Sequence, residues 1–191
     1  MATAKKAAAK KSPAGKAAGK AAAGKKTAAK KTASSRGRAN DATALLAKDH
    51  KDVKALFKRY EKLAKAEADA GEREELAAQI CEMLEAHTTV EEEIFYPAVR
   101  EAQVDADLLD EAEVEHGSLK QLVAAIESNS PESDELFDAR VKVLGEYVKH
   151  HVKEEENELF PKIRKSGMDL EEVGAQLAQR KAELTSEKAA A

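Results

Sequence analysis

Two stretches, AHTTVEEEIFYPAVR at 86–100 and HHVKEEENELFPKIR at 150–164, decide how this chain folds. Sliding one onto the other superposes His87 on His151, Glu91 on Glu155 and Pro97 on Pro161. Each copy spaces a histidine and a glutamate four residues apart, so on a helix both side chains leave one face, a turn apart. A second matched pair lies upstream, DHKDVKALF at 49–57 and EHGSLKQLV at 115–123, and aligns His50 with His116. His50 precedes His87 by 37 residues and His116 precedes His151 by 35. The sequence therefore writes one helix pair twice, each copy carrying His and then His-x-x-x-Glu.

The rest of the chain agrees with a helical reading. Asn40 or Asp41 can cap a first helix whose stripe of Leu46, His50, Val53 and Phe57 runs to about Lys65. Gly71 is expected to break it. A second helix from about Glu72 places Ile80, Met83, Leu84, His87, Glu91 and Ile94 on one face, and Pro97 should kink or end it. A third, about Ala106 to Glu127, turns Leu109, Ala112, His116, Leu119, Val123 and Ile126 inward. A fourth, from near Ser133, carries Leu144, Tyr147, Val148, His151, Glu155 and Leu159 towards Pro161 and Gly167. Short loops between long amphipathic helices predict an all-α, up-down-up-down four-helix bundle over 41–166. A short amphipathic helix, Met168 to about Glu187, follows within residues 167–191.

Charge divides the chain sharply. Residues 1–40 are a Lys/Ala-rich tail whose cations are Lys5, Lys6, Lys10, Lys11, Lys16, Lys20, Lys25, Lys26, Lys30, Lys31, Arg36 and Arg38. These twelve, with no acid before Asp41, make the tail +12, and the net −4 of the whole then leaves the remainder at −16. The tail has almost nothing larger and apolar than alanine, which predicts disorder. In composition it resembles the tails of linker histones and bacterial histone-like proteins. Such a tail can bind the phosphates of double-stranded DNA without reading bases. The competing reading folds it onto the protein's own acidic bundle.

The single Cys81 rules out an intramolecular disulfide and reads as a packed apolar group. No apolar run reaches the ~20 residues of a membrane span. These features predict a cytoplasmic protein, associated with the nucleoid if the tail binds DNA.

The chemistry lies in the histidines. Each of His50, His87, His116 and His151 sits on an apolar stripe, and Glu91 and Glu155 share those faces. Buried carboxylates need compensation, and no interior Lys or Arg pattern supplies it, so a bound cation is expected. Four imidazoles and two carboxylates exceed one tetrahedral zinc and suit two adjacent ions, iron before manganese. Glu113 and His116 alone have the Glu-x-x-His spacing of ferritin-like di-iron bundles, so that pattern does not apply. Tyr147, one turn before His151, and Glu113 are candidates for contacts around the ligands. His150 points about 100° away from His151. Glu92, Glu93, Glu154 and Glu156 read as solvated face, and Phe95 and Phe160 as core.

His50, His87-x-x-x-Glu91, His116 and His151-x-x-x-Glu155, with FYP and LFP following, resemble the hemerythrin-like HHE cation-binding domain family over about residues 41–166. The resemblance implies a non-haem di-iron centre held by those six residues, binding, sensing or consuming dioxygen, peroxide or nitric oxide, or sensing iron. Oxygen-carrying members have a second histidine four residues after the third-helix one, where this chain has Lys120. Their last helix supplies an aspartate five residues after its histidine, where this chain has Glu155 at four. The missing histidine implies an open coordination position and argues against simple reversible oxygen carriage.

Overall fold

Local capping and an interrupted apolar pattern set where each helix begins. The computed structural model describes residues 41–190, with side chains through Lys188; the expectations for the tail lie outside the described residues. Asp41 accepts from the backbone N–H of Ala44 and starts α1 (Ala42–Lys65). The break that follows falls at Glu67, in the left-handed region at φ 49°, and not at Gly71. Gly71 lies inside the first turn of α2 (Ala70–Val90), where its N–H donates to the capping Asp69 side chain.

Pro97 does not end the second helix. A π-helical turn, Glu91–Phe95, joins α2 to α3 (Tyr96–Glu101), and the N–H of Tyr96 bonds back to the carbonyl of Glu91. Proline, which has no N–H to offer, is tolerated just after the widened turn, in the first turn of α3. The second copy repeats this. After α4 (Ala106–Glu127), α5 (Phe137–Glu154) passes through a π-turn at Glu155–Leu159 into α6 (Phe160–Ser166), with Pro161 in the equivalent place. The fourth bundle helix starts at Phe137 and not near Ser133, because Ser130, Ser133 and Asp134 spend their side chains on a turn.

The four long helices pack α1 on α2, α2 on α4, α4 on α5 and α5 on α1, which closes the expected bundle. Gly167, at φ 86°, ends α6 and turns the chain into α7 (Leu170–Ala190). Helix α7 lies against α1, α2 and the first π-turn, with Val173 and Leu177 buried. The bundle interior has three layers. One apolar cluster contains Val53, Leu84, Leu119 and Val148, and another contains Leu46, Val90, Leu109 and Leu159. On each helix the histidine falls between a residue of the first cluster and one of the second. The polar residues therefore occupy a single sealed layer.

Candidate metal centre

The layer holds six buried polar side chains. His50, His87, Glu91, His116, His151 and Glu155 are each no more than 5% exposed. The 3.6-residue period brings them there, because each replaces the apolar residue that would otherwise continue its helix's inward stripe. Their ligand atoms form two groups, His50 with His87, Glu91 and Glu155, and Glu91 with His116 and His151. Glu91 belongs to both. Its Oε2 lies 3.2 Å from His87 Nε2 and 3.5 Å from His116 Nε2. Glu155 Oε2 lies 3.2 Å from His50 Nε2 and 3.7 Å from His151 Nε2. Each carboxylate thus stands between one histidine of each half.

The outward ring nitrogens decide what the inward ones can do. His50 Nδ1 faces Glu156 at 3.0 Å, His116 Nδ1 faces Glu92 at 3.0 Å, and His151 Nδ1 faces Glu115 at 2.8 Å. His87 Nδ1 faces Asp49 at 3.4 Å. An ionised carboxylate only accepts, so each Nδ1 carries a proton, and in the neutral ring each Nε2 turns a lone pair inward. Those lone pairs meet at 3.2 Å between His50 and His87, and at 3.2 Å between His116 and His151. Two acceptors at that distance repel unless a cation lies between them. Both oxygens of Glu91 and Oε2 of Glu155 also lack any hydrogen-bond partner. The residues fit a bound cation.

Without a cation the layer keeps protons in its place; burial pushes His151 down, but Glu155 and Glu115 outweigh it and raise the ring. Burial and the neighbouring Glu155 push the Glu91 carboxyl well above the usual carboxylate range. Burial alone would also raise Glu155, but His151 and His50 outweigh it and hold that carboxyl down at about 2. Burial, helped by the adjacent His151, takes His116 down to about 4, which favours its neutral, ligating form. The buried pair therefore keeps a proton on Glu91 that a cation would displace.

Several surrounding residues depart from their sequence reading. Tyr147 is 49% exposed and does not reach the layer, because Val141, Leu144, Val148 and Val152 centre the inward face of α5 and leave it beyond the edge. Glu113 is turned outward to Arg100 at 2.8 Å, while Ala112 takes the inward position. Glu92 and Glu156 do not behave as free solvated face; they hold His116 and His50. Glu93 and Glu154 do remain outside, paired with Arg180 and His150. His150 is exposed and bridges Glu154 and Glu115. Lys120 is also turned outward, 2.5 Å from Glu92 Oε2.

The residue that sequence reading passed over is Tyr96. Its buried hydroxyl donates to Glu155 Oε1 at 3.1 Å and lies 3.3 Å from His116 Nε2. The signal was present in the comparison of FYP with LFP. Phe160 takes the same place in the second copy and stacks on His50, with centroids 5.9 Å apart and planes 8° from parallel. One half of the layer therefore carries a hydroxyl where the other has a bare ring.

The four-histidine, two-glutamate layer agrees with comparison to known families. The model of the hemerythrin HHE cation-binding domain matches residues 41–163. The chain belongs to this family. As an HHE domain it has the cation-binding character that its inward lone pairs require. A crystal structure of an HHE cation-binding domain-containing protein from Mycobacterium kansasii is similar in fold, with a TM-score of 0.63 and 21% identity over 77% of this chain and 88% of that one. A protein named DNA nickase, from Nostoc sp. (strain PCC 7120 / SAG 25.82 / UTEX 2576), is 35% identical over 116 residues. The match covers 61% of this HHE protein and 31% of the length of that relative. No helix among the described residues is long and apolar enough to cross a membrane.

Proposed function

We propose that this HHE domain is a non-haem di-iron protein that binds a small oxidant, dioxygen, peroxide or nitric oxide, and senses or consumes it. The observation that carries the reading is the pair of opposed Nε2 lone-pair sets sharing Glu91 and Glu155 between them. Mixed nitrogen and oxygen donors in this number favour iron over zinc, with manganese second. His50, His87, Glu91, His116, His151 and Glu155 would hold the ions, and a bound iron pair would supply redox chemistry towards the oxidant. The four Nδ1-facing carboxylates fix the tautomer and direction of each ring. Tyr96 holds a hydroxyl proton 3.1 Å from Glu155 Oε1, and burial keeps that proton in place. The apolar layers above and below exclude water from the site.

Anaerobic iron loading tests the reading, with elemental analysis and then optical spectra on adding oxygen, peroxide and nitric oxide. About two irons per chain and a spectral change with at least one oxidant are expected. One zinc per chain, or iron that ignores all three, overturns it. With Lys120 turned out to Glu92, air should oxidise the ferrous protein without a stable, reversible oxygen adduct.

A second reading rests on the twelve cations of residues 1–38 and on the name of the Nostoc relative. The tail would bind double-stranded DNA, with the metal bundle as a responsive head. If about half the cations meet phosphates, log affinity should fall with log salt at a slope of roughly −5. Deletion of residues 1–38 should abolish binding. A supercoiled plasmid in the same titration reports whether any strand is nicked. No binding by the intact chain at low salt removes this reading.

A further inference from the structure

Three of the four carboxylates that face a histidine Nδ1 also meet a lysine. Lys54 lies 3.5 Å from Glu156, Lys120 2.5 Å from Glu92, and Lys181 2.5 Å from Asp49. Lys181 differs from the others in two respects. It comes from α7, beyond residue 163 where the family match ends. It also serves the most buried of the four carboxylates, since the Asp49 side chain is 9% exposed against 35% for Glu156, 32% for Glu92 and 25% for Glu115.

Asp49 stands where the second copy has Glu115, one methylene longer. Its reach to His87 is the longest of the four, 3.4 Å, and the oxygen that makes it, Oδ2, is the one Lys181 holds. A carboxylate on the outer nitrogen of a ligating histidine sets the direction of its ring, so whatever anchors that carboxylate anchors the ring.

We propose that Lys181 is a positioning residue of the metal centre, reaching from α7 to anchor Asp49 against His87 Nδ1, so that the His87 ring stays aimed into the layer. The proposal rests on reading the layer as a cation site. Through it the C-terminal helix becomes part of the centre as well as a cover for α1 and α2. Docking of α7 has independent support, because Arg180 pairs with Glu93 at 2.7 Å, Lys188 with Glu85 at 3.0 Å, and Leu177 is buried. Docking and positioning can therefore be separated by mutation.

The test compares full-length wild type with Lys181→Met, Lys181→Arg and Arg180→Ala, each checked for an intact melt. Cobalt(II) affinity is read by absorption, and the ring nitrogens of His87 in the apoprotein by ¹⁵N NMR. Lys181→Met should bind cobalt roughly tenfold more weakly, as expected for loss of an outer partner of a ligand. Its apoprotein should also lose the single Nδ1–H signature of His87. Lys181→Arg and Arg180→Ala should match wild type in both measurements. The proposal is overturned if Lys181→Met is indistinguishable from wild type in the apoprotein nitrogen signals, or if Arg180→Ala shifts them equally, which would assign the effect to docking. A wild-type chain that takes up no cobalt would instead defeat the cation-site reading, while the apoprotein signals still decide the role of Lys181.

Discussion

Replacing Glu91 with leucine should stabilise the metal-free protein while destroying its affinity for metal. The Glu91 carboxyl is fully buried, and neither oxygen has a hydrogen-bond partner. An unsatisfied buried polar group costs about 1–3 kcal/mol, and an apolar side chain of similar volume removes that penalty. A gain of about 2 kcal/mol in a domain of this size raises Tm by roughly 4–8 °C. The pH dependence has a definite sign. Burial and Glu155 raise the folded-state value of Glu91, so between pH 4.5 and that raised value the folded chain binds more protons than the unfolded one. Wild-type stability from this group is full at low pH and is lost as pH rises, by up to about 1.4 kcal/mol per pH unit. The leucine variant lacks that slope, so its advantage should widen from pH 5 to pH 8. Metal acts in the opposite direction. At a free concentration 100-fold above Kd, one site adds about 2.7 kcal/mol to the wild type. The variant, missing the carboxylate shared by both ligand groups, should gain little. Calorimetric melts of apo and loaded forms at pH 5 and pH 8 measure all four quantities. An apo variant that melts below wild type at pH 8, or that gains as much from metal, would show that burial of Glu91 carries no penalty relieved by a cation.

Other substitutions address the remaining parts of the site. His87→Ala or His151→Ala should strip metal and lower the Tm of the loaded protein, whereas His150→Ala, at an exposed residue facing Glu154, should leave metal content unchanged by elemental analysis. Tyr96→Phe removes the donor to Glu155 but keeps the ring, so metal should still bind, roughly tenfold more weakly in a competitive chelator titration. Unchanged affinity would show that the hydroxyl plays no part in holding the carboxylate. Cys81 is buried, and burial, reinforced by Glu127 and Glu85, pushes its thiol up to about 12. It should resist alkylation at pH 8 until the bundle unfolds, as read by mass spectrometry across a denaturant series.

The repeat, the four inward histidines and the two glutamates were legible in the chain because helical periodicity is a local property. A histidine that replaces a leucine in an i, i+3, i+4, i+7 stripe must point where the leucine would have pointed. The same logic placed α1 through Lys65 and α4 from Ala106 to Glu127. It failed where geometry depends on a neighbour. Pro97 reads in sequence as a kink or an end, but the helix runs on past it, as it does past Pro161, through a π-turn placed just before the proline. Tyr147 and Tyr96 both lie near a ligand in sequence, and only the rotation of each helix in the bundle decided that Tyr96 faces the layer and Tyr147 faces out. The carboxylates on Nδ1 were the least legible. Glu156 meets His50 and Glu92 meets His116 across 106 and 24 residues of chain, and Lys181 meets Asp49 across 132. In sequence these acids are indistinguishable from the solvated glutamates beside them. Which of them meets a ring nitrogen is set by the relative rotation and axial register of packed helices, a property of the whole fold that no single helix encodes.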